Sequence, residues 1–185
     1  MSQSPITPRI TVLGIGNPVM GDDGIGLEIL RRLSKPESQP EDVIWTPSSL
    51  SSPADMDARP VHTSAEIDYI DGGTCGMELL PIVQEAENLL LLDAVAGPGA
   101  AGDVVKLVGD QVPRLLNAKL SPHQVGLLDL LAAARLLGKD PRRVGVVGIV
   151  AESADLHVGL SETVMASLDE ATETARELIE QWANE

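Results

Sequence analysis

Residues 9–26 read RITVLGIGNPVMGDDGIG, and this stretch decides the fold. Its first seven residues, Arg9 to Ile15, are mostly apolar or β-branched and stop at a Gly-Asn-Pro sequence, which is typical of a buried strand that ends in a sharp loop. Apolar residues then recur at helical spacing from Ile25 to Leu33, behind Asp22, which can cap a helix. The stretch therefore predicts a strand, a tight loop and a helix.

The rest of the chain repeats this alternation. Further strands are predicted at 66–70, 88–92, 103–108 and 143–150, and further helices at 77–87, from 122 after the cap Ser121, and after the cap Ser161. Such alternation indicates an α/β fold with a largely parallel sheet and helices on both faces. Residues 46–64 are rich in Ser, Pro and Asp and are predicted to be a surface insertion. The length of 185 residues fits a single domain, 1–185.

Composition narrows the classes of function. The formal net charge of −15 argues against binding to nucleic acid or anionic membranes, because both require a basic surface. No apolar run is long enough to cross a bilayer, and residues 1–8 lack the pattern of a secretory signal, so we expect a cytoplasmic protein. The one cysteine, Cys75, excludes an internal disulfide and a thiolate-rich metal site, and its small neighbours favour a packed residue over a nucleophile.

Polar side chains follow the predicted strands. Asn17 and Asp23 come after the first strand, Asp71 after the second, Asp93 after the third and Glu152 after the last. Because the carboxyl ends of parallel strands form the edge where ligands bind, these side chains are expected to converge on one crevice. Asp93 ends a run of leucines, where a carboxylate must be paired, coordinated or open to a crevice.

A metal site is one interpretation of this pattern. His123 lies in the first turn of its predicted helix, where the helix dipole disfavours protonation and leaves a neutral imidazole able to bind metal. Two carboxylates and one imidazole suit a borderline divalent ion such as nickel, zinc or manganese. Plainer roles remain open: Asp22 and Asp23 as helix caps, and Glu152 and His157 as polar loop residues.

Five blocks of the sequence, in order, resemble the signature blocks of the nickel–iron hydrogenase maturation endopeptidases. They are GIGN (14–17) with GDDGIG (21–26), DGGTCGMELL (71–80), LDA (92–94), SPHQVGL (121–127), and VGIV (147–150) with ES (152–153) and GLS (159–161). Each block alone is a weak signal, but five in the family's order over nearly the whole chain are a strong one.

The resemblance implies a three-layer α/β/α sandwich around a five-stranded, mostly parallel twisted sheet. It also implies that Asp23, Asp93 and His123 bind nickel, which arrives on the substrate, the hydrogenase large-subunit precursor. The enzyme would then remove a C-terminal extension. Our hypothesis is that Asp23 and Asp93 act at the docked ion, with Asp71 as a further candidate, either as a base or as a group that supports the metal ligands. A monomer is sufficient for such substrate capture.

Three other functions remain open on the sequence. A non-cleaving chaperone that checks the large subunit for nickel would need the same three ligands. A different peptidase on the same fold would cut substrates that lack nickel. A dinucleotide-binding domain is less consistent, because Val19 stands where the third glycine of the fingerprint belongs and Pro18 lacks a backbone N–H. The sequence contains neither a Gly-x-Ser-x-Gly elbow nor a His-Glu-x-x-His helix, so serine-hydrolase and zincin mechanisms have no support.

Overall fold

The computed structural model describes residues 8–35, 65–95, 99–112 and 122–185, and within 122–128 it describes only the side chain of Leu127. The predicted surface insertion at 46–64 lies outside these ranges. In the described ranges, no helix has both the length and the hydrophobicity needed to span a bilayer.

In the part of the chain that the structure describes, five strands form one sheet in the spatial order β2-β1-β3-β5-β4. They are β1 (Arg9–Ile15), β2 (Glu66–Gly73), β3 (Asn88–Val95), β4 (Val104–Val108) and β5 (Arg143–Val150). Neighbours run parallel, except that β4 pairs antiparallel with β5 at the sheet edge. After β1 the chain first adds β2 on one side and later β3 on the other. The order of the strands thus reverses between β1 and β3, the position where open α/β sheets bind their ligands.

Among the described residues, four helices cover the two faces of this sheet. They are α1 (Ile25–Ser34), α2 (Leu80–Glu85), α3 (Pro122–Leu136) and α4 (Glu162–Ala183), with short 3-10 turns at Gly21–Gly24, Met77–Leu79 and Gly109–Gln111. Helices α1 and α4 pack with Ile10, Val12 and Leu90 on one face. Helices α2 and α3 pack with Leu13, Leu89 and Leu91 on the other. The predicted three-layer α/β/α architecture is therefore confirmed.

The apolar sequences of the central strands match their burial between the two helical layers. All eight residues of β3 are buried, and its leucines alternate between the two helical layers. A strand covered on both faces needs apolar side chains on both, which is why its sequence reads as a continuous leucine run. β1 is buried from Ile10 to Ile15 for the same reason.

Several predicted boundaries were wrong. β2 continues past Ile70 through Gly73, because the Asp-Gly-Gly sequence still pairs with β1 across a register shift between Gly14 and Ile15. β3 continues two residues past Asp93. The helix predicted at 77–87 is a 3-10 turn followed by the six-residue α2, and β4 begins one residue later than expected.

Candidate active site at the carboxyl edge of the sheet

Glycines hold the start of α1 directly on the carboxyl ends of β1 and β3. A Cβ on Gly26 would lie 2.2 Å from Leu92 O and 2.3 Å from Ile15 O, so only glycine permits this approach. Gly16 has a φ of +134°, and a Cβ there would lie 1.8 Å from Asp23 O. These contacts fix the Gly21–Gly24 turn over the point where the strand order reverses.

Asp23 lies in that turn and is buried, with 5 % of its surface exposed. Its Oδ2 accepts a 2.9 Å hydrogen bond from the backbone N–H of Asn17. The side chain of Asn17 in turn accepts a 3.2 Å hydrogen bond from Val19 N. The loop after β1 therefore orients the Asp23 carboxylate. The residues at the N-cap positions of the turn and of α1 are Met20 and Gly24, and neither makes a side-chain capping hydrogen bond. The interpretation of Asp23 as a simple helix cap is wrong.

Asp93 is a buried carboxylate within β3, with 3 % of its surface exposed. It pairs in register with Gly148 of β5, and a Cβ on Gly148 would lie 2.2 Å from Asp93 O. The turn that carries Asp23 packs against β3. Asp93 shares the side of the strand with Leu89 and Leu91, because side chains alternate along a strand, and α3 covers that side. The structure thus brings the two acids to one edge, with Asp93 on the side of α3.

His123 is the second residue of α3, but its side chain lies outside the described part of the chain. No cluster of three or more His, Cys, Asp or Glu side chains suited to a metal is found among the described side chains. The three-residue metal site therefore remains a prediction. The structure describes the side chains of two of its residues, Asp23 and Asp93, and both are buried.

Asp71 lies at the same edge, on β2 opposite Gly14 of β1. It is exposed, and its Oδ1 accepts a 2.9 Å hydrogen bond from Gly73 N. This local contact stabilises the bend at the end of β2 and leaves the carboxylate open to solvent. Cys75, two residues after Gly73, is exposed rather than packed, contrary to the prediction.

Asp22 has a role that the sequence analysis missed. It is 1 % exposed, and its carboxylate accepts three backbone hydrogen bonds from the segment after β5: from Glu152 N at 2.9 Å, Ser153 N at 3.2 Å and Ser161 N at 2.7 Å. Its own N–H donates to Ser153 O at 3.1 Å. Asp22 therefore joins the two ends of the 152–161 loop to the turn that holds Asp23. Its predicted role as a helix cap is wrong. The sequence contained one signal of another role, because Asp22 and Asp23 are adjacent acids and a helix cap needs only one.

Glu152 and His157 are exposed residues of that loop. The backbone of His157 forms a parallel bridge with Met20, through His157 N to Val19 O at 3.2 Å and Gly21 N to His157 O at 2.7 Å. The loop is thus a defined wall beside the site.

Known proteins of one family resemble this chain. The family model described as "Hydrogenase maturation protease" matches residues 58–178. The hydrogenase 2 maturation protease of Escherichia coli (strain K12) is 34 % identical over 166 residues, 89 % of this chain and 87 % of that protein. A hydrogenase expression/formation protein HupD of Rhodobacter capsulatus is 33 % identical over 92 % of this chain and 71 % of that protein.

A solved structure shares the fold as well as the sequence. The hydrogenase maturating endopeptidase HybD from E. coli superimposes with a TM-score of 0.73 at 34 % identity, covering 94 % of this chain and 93 % of that one. On these grounds, the chain belongs to the hydrogenase maturation proteases and is an endopeptidase.

Proposed function

We propose that this protein removes the C-terminal extension of the nickel-loaded large-subunit precursor of a nickel–iron hydrogenase. Its relatives are named as hydrogenase maturation proteases, which supports a hydrogenase precursor as the substrate. The observation that carries the proposal is the pair of carboxylates, Asp23 and Asp93, nearly removed from water at one edge of the sheet. Buried acids are stabilised by a cation, and a cation brought by the substrate would make binding depend on the metal.

The nickel ion is part of the substrate in this proposal. Asp23, Asp93 and His123 bind it, and a set of carboxylate oxygens with one imidazole nitrogen suits a borderline divalent ion. The position of Asp93 on the side of β3 that α3 covers supports this set, because His123 belongs to the first turn of α3. A precursor without nickel lacks this anchor and is not cut.

The docked ion acts as a Lewis acid on the scissile peptide or on a water molecule. Water adds to the carbonyl carbon, the C–N bond breaks, and the leaving amine takes up a proton. A carboxylate accepts the proton that the water loses. Asp71 is a candidate for this base, since it is exposed at the same edge while one of its oxygens is held by Gly73 N. In this proposal an aspartate carboxylate carries out the proton transfer, so the enzyme is an aspartyl protease.

We propose that the protein acts as a monomer in the cytoplasm, on a large-subunit precursor that is folded around its metal. The strongly acidic surface, with a formal net charge of −15, supports a protein partner over nucleic acid or an anionic membrane.

Incubation with the nickel-loaded precursor, beside a nickel-free control, tests the proposal by intact mass. Loss of a C-terminal peptide from the loaded precursor alone is the expected result. Cleavage of both forms would refute nickel gating and indicate a peptidase of broader specificity. A stable complex without cleavage would instead support the chaperone function.

A further inference from the structure

The wall of the site formed by Asp155–Val158, called here the rim segment, carries an exposed apolar surface. Leu156 is 82 % exposed and Val158 is 78 % exposed, and Val19, whose carbonyl bonds to His157, is 46 % exposed. Single exposed apolar side chains are ordinary, but here three belong to two segments joined by a backbone hydrogen bond beside the site.

The rim segment is held in a fixed place beside the site. The bridge between Met20 and His157 joins it to the loop after β1. Asp22 fixes both ends of the surrounding loop through Glu152, Ser153 and Ser161. Because Asp22 directly precedes Asp23, these contacts attach the rim segment to the turn that carries the Asp23 carboxylate.

The backbone of the rim segment has an unused edge. Both backbone groups of His157 are occupied by Val19 and Gly21. Within the described ranges, the backbone groups of Leu156 and Val158 make no hydrogen bond. A trans peptide group directs its N–H and C=O to opposite sides. Leu156 O and Val158 N–H share peptide groups with His157 N–H and His157 O, so they point away from the bridge to Met20 and are available to a further extended segment.

We propose that the rim segment binds the C-terminal segment of the precursor as an added extended strand, with apolar side chains of that segment packed on Leu156 and Val158. The inference rests on the proposed function and names the surface that holds the peptide to be cut. Peptide recognition by strand addition uses main-chain hydrogen bonds for affinity and side-chain contacts for specificity. The exposed acids Glu152 and Asp155 precede the apolar pair in the same loop, which fits a peptide with a basic residue beside its apolar ones.

Kinetics of cleavage give the first test. The double variant Leu156→Ser with Val158→Ser is expected to lower kcat/KM for the nickel-loaded precursor by about tenfold or more, mainly through KM, because ground-state binding is lost. Leu136→Ser is the matched control, since Leu136 is 88 % exposed at the end of α3, away from the carboxyl edge, and is expected to leave the kinetics unchanged. Equal kinetics for the double variant and the wild-type protein would overturn the inference while leaving the proposed function intact.

Hydrogen–deuterium exchange gives a test that does not require cleavage. Peptides that cover Leu156 and Val158 are expected to become protected on addition of the nickel-loaded precursor, and not on addition of the same subunit already lacking its C-terminal extension. Protection with the tail but no cleavage would support the rim segment and refute the proposed function. Protection that is absent, or equal with both forms, would overturn the rim segment as the tail-binding surface.

Discussion

Asp22 and Ser161 are 139 residues apart in the chain, and Ser161 N donates a 2.7 Å hydrogen bond to Asp22 Oδ1. The hydroxyl of Ser161 accepts a 3.3 Å hydrogen bond from Val164 N and so caps α4. One contact therefore connects the turn beside the site to the start of α4, the longest helix among the described residues. Because Glu152 N and Ser153 N also donate to Asp22, the loop between β5 and α4 is closed on a single carboxylate.

Asp22→Asn is expected to lower the free energy of unfolding by about 2–4 kcal/mol, since a carboxylate that accepts several hydrogen bonds becomes an amide that must also donate. The amide nitrogen would face N–H groups, and at least one buried donor would lose its acceptor. Urea unfolding measures the effect. Hydrogen exchange of residues 152–161 should rise in the same variant.

Asp155→Asn is the control for that substitution. Asp155 is an exposed acid of the same loop, and its carboxylate accepts a hydrogen bond from Ser153 Oγ at 2.7 Å. Its removal is expected to change the free energy of unfolding by less than about 0.5 kcal/mol. Equal stability of the Asp22 and Asp155 variants would mean that Asp22 does not organise the loop.

The elements that the sequence predicted well are those whose neighbours are close in the chain. β1 and β5 have the predicted bounds, because a run of buried β-branched and apolar residues is visible in a short window. The cap of α4 at Ser161 is equally local. The edge where the acids gather followed from the order of strands and helices, because parallel strands point their carboxyl ends the same way.

The predictions that were wrong concern features that depend on contacts between residues far apart in the sequence. Asp93 reads as the end of a strand, since a carboxylate rarely lies inside a leucine run, yet β3 continues because Gly148 of β5 leaves room for its backbone. The partners of Asp22 lie 130 to 139 residues away, so no local pattern could name them. Helix periodicity predicts which face of a helix is buried, but it does not predict which loop a polar side chain will bind.

An ion-pair network between α1 and α4 gives a pH-dependent prediction. Burial disfavours the charged form of Glu28, but the hydrogen bonds and charges of Arg31 and Arg32 outweigh burial and lower the pKa of Glu28 from its ordinary value of 4.5. Arg32 also pairs with Asp169 of α4. A lowered folded pKa means that the network stabilises the protein above pH 4.5 and loses this effect as the pH falls through the folded value.

Glu28→Gln is therefore expected to reduce the free energy of unfolding at pH 7 by up to about 1 kcal/mol, and by less at about pH 3. Urea unfolding at both pH values checks this. Glu173→Gln, which removes a more exposed pair with Arg176, is expected to have a smaller effect at either pH. A difference between wild type and Glu28→Gln that stays constant with pH would contradict the assignment.

Gly26→Ala tests the close approach that sets the site. The added Cβ would meet the carbonyl oxygens of Leu92 and Ile15, which belong to the sheet backbone and cannot rotate away, so α1 must move. We expect a loss of about 3 kcal/mol in the free energy of unfolding and a fall in processing, although alanine favours helix over glycine by about 1 kcal/mol. Gly145→Ala is the comparison, because its Cβ would meet side-chain atoms of Leu178 and Trp182 that can adjust. A larger loss for Gly145→Ala would show that backbone contact at Gly26 is not the limiting feature.

Asp93→Asn separates the chemistry of the site from its architecture. The amide has nearly the shape of the carboxylate and keeps the pairing of β3 with Gly148, so cooperative unfolding should be retained. Its lost charge weakens the hold on a cation, and processing of the nickel-loaded precursor should fall by roughly a hundredfold or more, the scale for losing a group that acts at the reacting atoms. Intact mass over time measures the rate. Asp68→Asn, which removes an acid of β2 that pairs with Arg9 of β1, should process at the wild-type rate. Full cleavage by the Asp93 variant would remove this carboxylate from the mechanism, and the metal-docking proposal would then have to rest on other ligands.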